Sequence, residues 1–118
     1  MTTIQRFHPG PRLSEATVHH GTAYLAGQVA ADAKQDIAGQ TRQVLAAIDE
    51  LLAEVGSDKS RILMAQIFIA DMADFAGMNA VWDAWVAPGQ APCRATVEAP
   101  LAKPGWRVEI VVTAAVDG

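Results

Sequence analysis

The spacing of apolar residues along the chain changes period several times. Between Asp36 and Val55, Ile37, Val44, Ile48, Leu51 and Val55 recur at three- and four-residue steps, and Leu45 and Leu52 widen the stripe. This spacing predicts an amphipathic helix, with Asp36 as N-cap and Gly56 as a left-handed stop. Ahead of it the period is two. Ser14–His20 and Ala23–Val29 read as strands joined by a turn at His20-Gly21-Thr22, a hairpin, with Thr3–Phe7 a weaker strand broken by His8-Pro9-Gly10-Pro11. Behind the helix, Arg61–Ala70 is apolar on both alternating faces, the pattern of a strand covered on two sides. Asp74 is placed to cap a second helix running to Val86, with Phe75, Met78, Trp82 and Trp85 in one stripe and Pro88-Gly89 as its end. Two strands close the chain, Ala95–Ala99 and Val108–Val116, separated by Pro100 and by Lys103-Pro104-Gly105.

The order strands, helix, strand, helix, strands predicts an α+β fold with two helices packed on one face of a mixed sheet. In the last strand, Val108, Ile110, Val112 and Ala114 form one row and Glu109, Val111, Thr113 and Ala115 the other. If the first row meets the helices, the second faces water in an isolated chain. Val111 and the doubly apolar Arg61–Ala70 segment argue that other subunits cover that face. Trp82, Trp85 and Phe75, at helical spacing, read as core or subunit-contact residues rather than a base-stacking platform.

Size and composition narrow the function classes. A chain of 118 residues is expected to form one domain, 1–118, with a real but shallow core. Hydrophobic residues make up 51% and charged residues only 19%, which leaves apolar surface for a partner. A net charge of −4 with scattered Lys and Arg argues against nucleic acid, which requires clustered cations. One cysteine excludes an internal disulfide and suits a reducing cytosol. Neither a charged-then-apolar leader nor a membrane-length apolar run is present, so a soluble cytoplasmic chain without membrane partners is expected. Adjacent His19 and His20 would point to opposite faces of a strand and could not share a metal.

The candidate chemistry lies near the C-terminus, in Ala91-Pro92-Cys93-Arg94-Ala95-Thr96-Val97-Glu98 and Arg107-Val108-Glu109-Ile110. A guanidinium at a strand entrance is a rigid two-pronged donor for a carboxylate. A glutamate among Val and Ile is expensive to bury and implies a partner or a task. Structural ion pairs involving Arg94, or joining Glu109 to Arg94 or Arg107, are the competing readings. Cys93 reads as a small packed residue.

In these residues the chain resembles the Rid (reactive intermediate deaminase, RidA/YjgF) family, and its YoaB-like branch in particular. The landmarks are Leu25-Ala26-Gly27-Gln28-Val29 after a hairpin, Gln40–Gly56 as first helix, Asp74-Phe75 with Asn79 opening the second, then Pro92-Cys93-Arg94-Ala95-Thr96-Val97-Glu98 and Val108-Glu109-Ile110. The resemblance implies a chorismate-mutase-like (YjgF-type) protomer in a homotrimer, with a barrel-like core of sheets and sites in the clefts between subunits. It implies hydrolysis of 2-imino acids or enamines to 2-keto acids and ammonia, with no metal or organic cofactor. Arg94 would anchor the substrate carboxylate and Glu109 would position or activate water. Backbone around Gly27 would admit close approach, and Asn79 would support the cleft.

Two positions depart from the family pattern. Gly10-Pro11-Arg12 stands where many members have Gly-Pro-Tyr, and Thr96 stands where many have cysteine. Arg12 in the cleft would favour a second negative group on the substrate. A non-catalytic trimer that binds small carboxylates for regulation is the alternative reading. Ribonuclease or translation-inhibiting activity, attributed to some relatives, fits the negative charge worst.

Overall fold

The structure, a computed structural model, describes residues 3–117. Its strands are β1 (Gln5–Phe7), β2 (Ala16–His19), β3 (Thr22–Leu25), β4 (Gln28–Val29), β5 (Ile62–Ile69), β6 (Cys93–Glu98) and β7 (Val108–Ala115). Helices α1 (Ile37–Glu54) and α2 (Phe75–Trp85) follow β4 and β5, and two short 3-10 turns occupy Lys59–Arg61 and Met72–Asp74. The sheet order is β1-β2-β3-β7-β5-β6, with β4 pairing β7 beside β3. β5 and β6 run parallel and the other pairs antiparallel, giving the expected mixed sheet.

Both helices pack on one face. β7 alternates strictly, its Val108, Ile110, Val112 and Ala114 buried and the residues between them half-buried. The buried row meets Leu45, Ile48 and Leu52 of α1 and Met78 and Trp82 of α2 in one core cluster. Each such large side chain contributes about 1.5–3 kcal/mol by leaving water. The opposite face of the sheet is open: Tyr24, Met64 and Val97 are 52%, 48% and 41% exposed. Within one chain, therefore, β5 is covered on one side only; the second cover that its sequence pattern calls for was expected from other subunits. Its second face bears Met64, Gln66 and Phe68, of which the first two are exposed.

Local chemistry sets most boundaries. The Asp36 carboxylate accepts from Gly39 N at 2.8 Å and starts α1. Gly56, at φ +84°, lets Ser57 N reach Leu52 O at 2.8 Å and Gly56 N reach Ala53 O at 3.2 Å, which closes the helix with paired bonds. In the β2–β3 hairpin both turn residues, His20 and Gly21, have positive φ, a type I′ geometry whose twist matches that of the strands. His20 thereby leaves the strand, and its ring meets that of His19 edge-on at 4.0 Å instead of pointing to the opposite face.

Three further expectations are corrected. Ala23–Val29 is two strands, broken at Ala26-Gly27, because the β7 register advances by one residue between Tyr24↔Thr113 and Gln28↔Ile110. At that break Ala26 N turns to Glu15 O, 2.8 Å away. Asp74 does not cap α2 with its side chain; its carboxylate is taken by Arg107 at 3.2 Å, and Asp71 caps the preceding 3-10 turn. Cys93 is exposed rather than packed, its thiol directed at Leu63 O, 3.1 Å away. Among the described residues no helix is long and apolar enough to cross a membrane.

Candidate functional site

Arg94 is the second residue of β6, an edge strand. It shares a row with Ala65 of β5 and Val112 of β7, the row that faces the helices. Its guanidinium carbon lies 5.3 Å from the ring centroid of Trp82 on α2. Cation–π contact with this buried indole holds the guanidinium in place without consuming its N–H donors, which leaves them able to meet an anion. Arg94 is half-buried, and among the described residues it joins no ion pair.

Glu109 lies in the other row of β7, opposite Phe68 and beside Val29. Its carboxylate is folded against the backbone of Gly27: a Cβ built there would lie 2.1 Å from Oε2 and 2.9 Å from Cδ. Gly27 is a glycine here because of this close approach, since its φ is not in the left-handed region. The one-residue register advance at Ala26-Gly27 brings the two together. Glu109 is half-buried and is likewise in no ion pair among the described residues. Arg107, its sequence neighbour, is committed to Asp74 instead.

Glu109 and Gly27 thus share a site, whereas Arg94 projects from the opposite face of the same sheet. Asn79 follows Met78 on α2, one turn before Trp82, and its Oδ1 is buried without a hydrogen-bond partner among the described residues. Thr96, two residues after Arg94 on the same face of β6, has its hydroxyl in the same condition. Two orphaned oxygens on the elements that hold Arg94 mark a polar seam, since buried polar atoms are ordinarily satisfied. Arg12 is exposed in the loop between β1 and β2. Glu15, at the end of that loop, bonds Phe7 O and Ala26 N through its backbone, which ties the loop to the Gly27 end of the sheet.

No group of three His, Cys, Asp or Glu able to hold a metal occurs among the described residues. The carboxyls of Asp32 and Asp58 are held below the usual carboxylate range, Asp32 by the Lys34 amide and Gln35 side chain and Asp58 by the Ser60 hydroxyl and amide. Both lie in exposed turns and belong to local structure.

Sequence reasoning missed two contributors. Trp82 sits at a core position, 5% exposed, yet also presents a ring face to Arg94. Gln40 is wholly buried. It donates to Gly105 O at 2.9 Å and accepts from Arg107 N at 2.9 Å, which pins the loop that leads into β7 and so to Glu109. A polar residue inside the apolar stripe of α1 was the available signal.

This two-layer α+β chain has known counterparts. Residues 3–116 match the family model described as Endoribonuclease L-PSP. The chain is 53% identical over 114 residues to a RutC family protein of Haemophilus ducreyi, with 97% of each covered. It is 47% identical over 114 residues to the RutC family protein YoaB of Escherichia coli, covering 97% of this chain and 99% of that one. The crystal structure of NMB1025 from Neisseria meningitidis, a member of the YjgF protein family, superposes with a TM-score of 0.95 at 51% identity, covering 98% of this chain and 97% of that one. The fold is therefore of the YjgF type. The chain belongs to the Rid/YjgF family, in its YoaB-like branch.

Proposed function

We propose that this protein is a cofactor-independent deaminase that hydrolyses 2-imino acids or their enamine tautomers, of the iminopropanoate or iminobutanoate type, to 2-keto acids and ammonia. One observation carries the reading. Arg94 and Glu109 are both half-buried, and among the described residues neither is neutralised within its own chain. Leaving such groups unpaired costs stability, and a bound substrate offsets that cost.

In this mechanism the Arg94 fork holds the substrate carboxylate through two N–H donors. Water held by the Glu109 carboxylate adds to the imine carbon, and the glutamate takes a proton from the water as the C–O bond forms. The glutamate returns that proton to nitrogen, giving an amino alcohol. Its hydroxyl proton then moves to the same nitrogen, the C–N bond breaks with its electron pair leaving on ammonia, and the oxygen lone pair closes the keto C=O. Backbone at Gly27 lines the substrate, Asn79 supports the cleft, and Arg12 meets any second negative group. Because imines are labile, orientation and one placed water suffice.

Arg94 and Glu109 project from opposite faces of one sheet, so a single site containing both draws them from neighbouring copies. The open apolar face around Tyr24, Met64 and Val97 supports a homotrimer with inter-subunit clefts. The nuclease activity in the family description finds no support in a net charge of −4 without a basic run. The test generates 2-iminopropanoate or 2-iminobutanoate in situ and follows its loss. Acceleration over buffer that Arg94→Ala abolishes supports deamination, while keto-acid binding without turnover supports the regulatory alternative.

A further inference from the structure

We infer that the groove between α1 and α2, on the side of the helices away from the sheet, binds a small organic monocarboxylate with a flat or extended apolar body. This lies outside the proposed imine site, none of whose residues line it. The groove has a volume of about 630 Å³, within the range of small-molecule sites.

The helices run side by side in the same direction. Ile37 of α1 packs on Gly77, where a Cβ would meet its methyl at 2.8 Å, and Trp85 at the far end of α2 donates from Nε1 to Asp49 at 2.9 Å. Between these contacts Ala46, Ala80 and Ala84 are too short to meet across the gap, and Leu45 forms the floor. The Trp85 ring closes one end, fixed by Asp49 and by Lys59, whose Nζ lies 5.4 Å from the ring centroid.

Charge selects the occupant. The chain carries a net charge of −4, yet this groove is lined by Arg42, Lys59 and a single carboxylate, Asp49, which already accepts from the Trp85 indole. Arg42 is in no ion pair among the described residues. An apolar trough with one uncommitted guanidinium and an ammonium at its aromatic end complements one negative charge on an apolar frame. A longer acidic peptide would find few further cations along it.

The test uses the full chain with 2-naphthoate as probe, followed by calorimetry and tryptophan fluorescence. Saturable binding is expected, at least about tenfold weaker for neutral 2-naphthamide and for Arg42→Glu, the loss of one charge-assisted contact. Ala80→Trp, which fills the groove from an exposed position, abolishes it, and Arg94→Ala retains it. Arg42→Glu leaves imine turnover unchanged, so this result stands whether or not deamination is found. Absence of naphthoate binding, equal binding of the amide, or binding that survives Arg42→Glu and Ala80→Trp but disappears in Arg94→Ala overturns the inference.

Discussion

Replacing Gly27 with alanine separates the catalytic role proposed for Glu109 from its contribution to the fold. The added Cβ would lie 2.1 Å from Glu109 Oε2, 2.9 Å from Cδ and 3.2 Å from Cγ. Restoring an ordinary contact of about 3.4 Å moves the carboxylate oxygen by roughly 1.3 Å. The colliding atoms are the far end of a flexible side chain, and the backbone at Gly27 is not in the left-handed region, so alanine fits the local conformation. The stability change is therefore expected to stay below about 1.5 kcal/mol, the ordinary range for a single substitution without cavity or strain. Turnover is another matter, because a displacement of about 1 Å at a positioned group costs on the order of 100-fold. Imine loss measured by absorbance should fall on the order of 100-fold in Gly27→Ala and match Glu109→Gln, while urea unfolding stays near wild type. Wild-type turnover in Gly27→Ala would refute the assignment of Glu109, and a large loss of stability would refute the structural argument.

Arg94→Ala should weaken binding of 2-ketobutyrate by on the order of 2–5 kcal/mol with little effect on the melting temperature, and Arg94→Lys should recover only part because the fork is lost; calorimetry reads both. Gln40→Leu leaves the amide of Arg107 and the carbonyl of Gly105 without their partner, so denaturant unfolding should show a loss of about 2–4 kcal/mol. Asp36→Ala should cost about 1 kcal/mol through the lost cap. Asp74→Ala should cost less than about 1 kcal/mol, because its partner Arg107 is half exposed and the carboxylate caps nothing. Met64→Glu on the open face should convert a trimeric mass in sedimentation to a monomeric one; a monomeric wild type would overturn the assembly.

The helices and the hairpin were legible because their signals are local. Asp36, Gly56 and the His20-Gly21 turn act on atoms a few residues away, and the sequence spacing of Ile37 to Val55 matches the buried stripe of α1. What was not legible depends on distant pairing. The break at Ala26-Gly27 comes from a register advance against β7, more than eighty residues later in the chain. Asp74 resembles a cap until Arg107, from the loop before β7, arrives to claim it. The separation of Arg94 from Glu109 is of the same kind. The two are close in sequence, but β5 lies between β6 and β7, and the register through Ala65 and Phe68 sends them to opposite faces. Trp82 looks like core in a helical stripe, and it is; only the neighbouring β6 reveals that its ring also supports a guanidinium.

Complementation between two inactive variants tests most directly whether Arg94 and Glu109 act together across neighbouring copies. Arg94→Ala and Glu109→Gln, each without turnover alone, would be mixed, unfolded and refolded together. If each site draws its arginine from one copy and its glutamate from the next, random assembly regenerates about a quarter of the sites intact, so about a quarter of wild-type imine turnover returns. If turnover stays absent while mixed assemblies form, the two residues do not meet between copies, and the shared site is wrong.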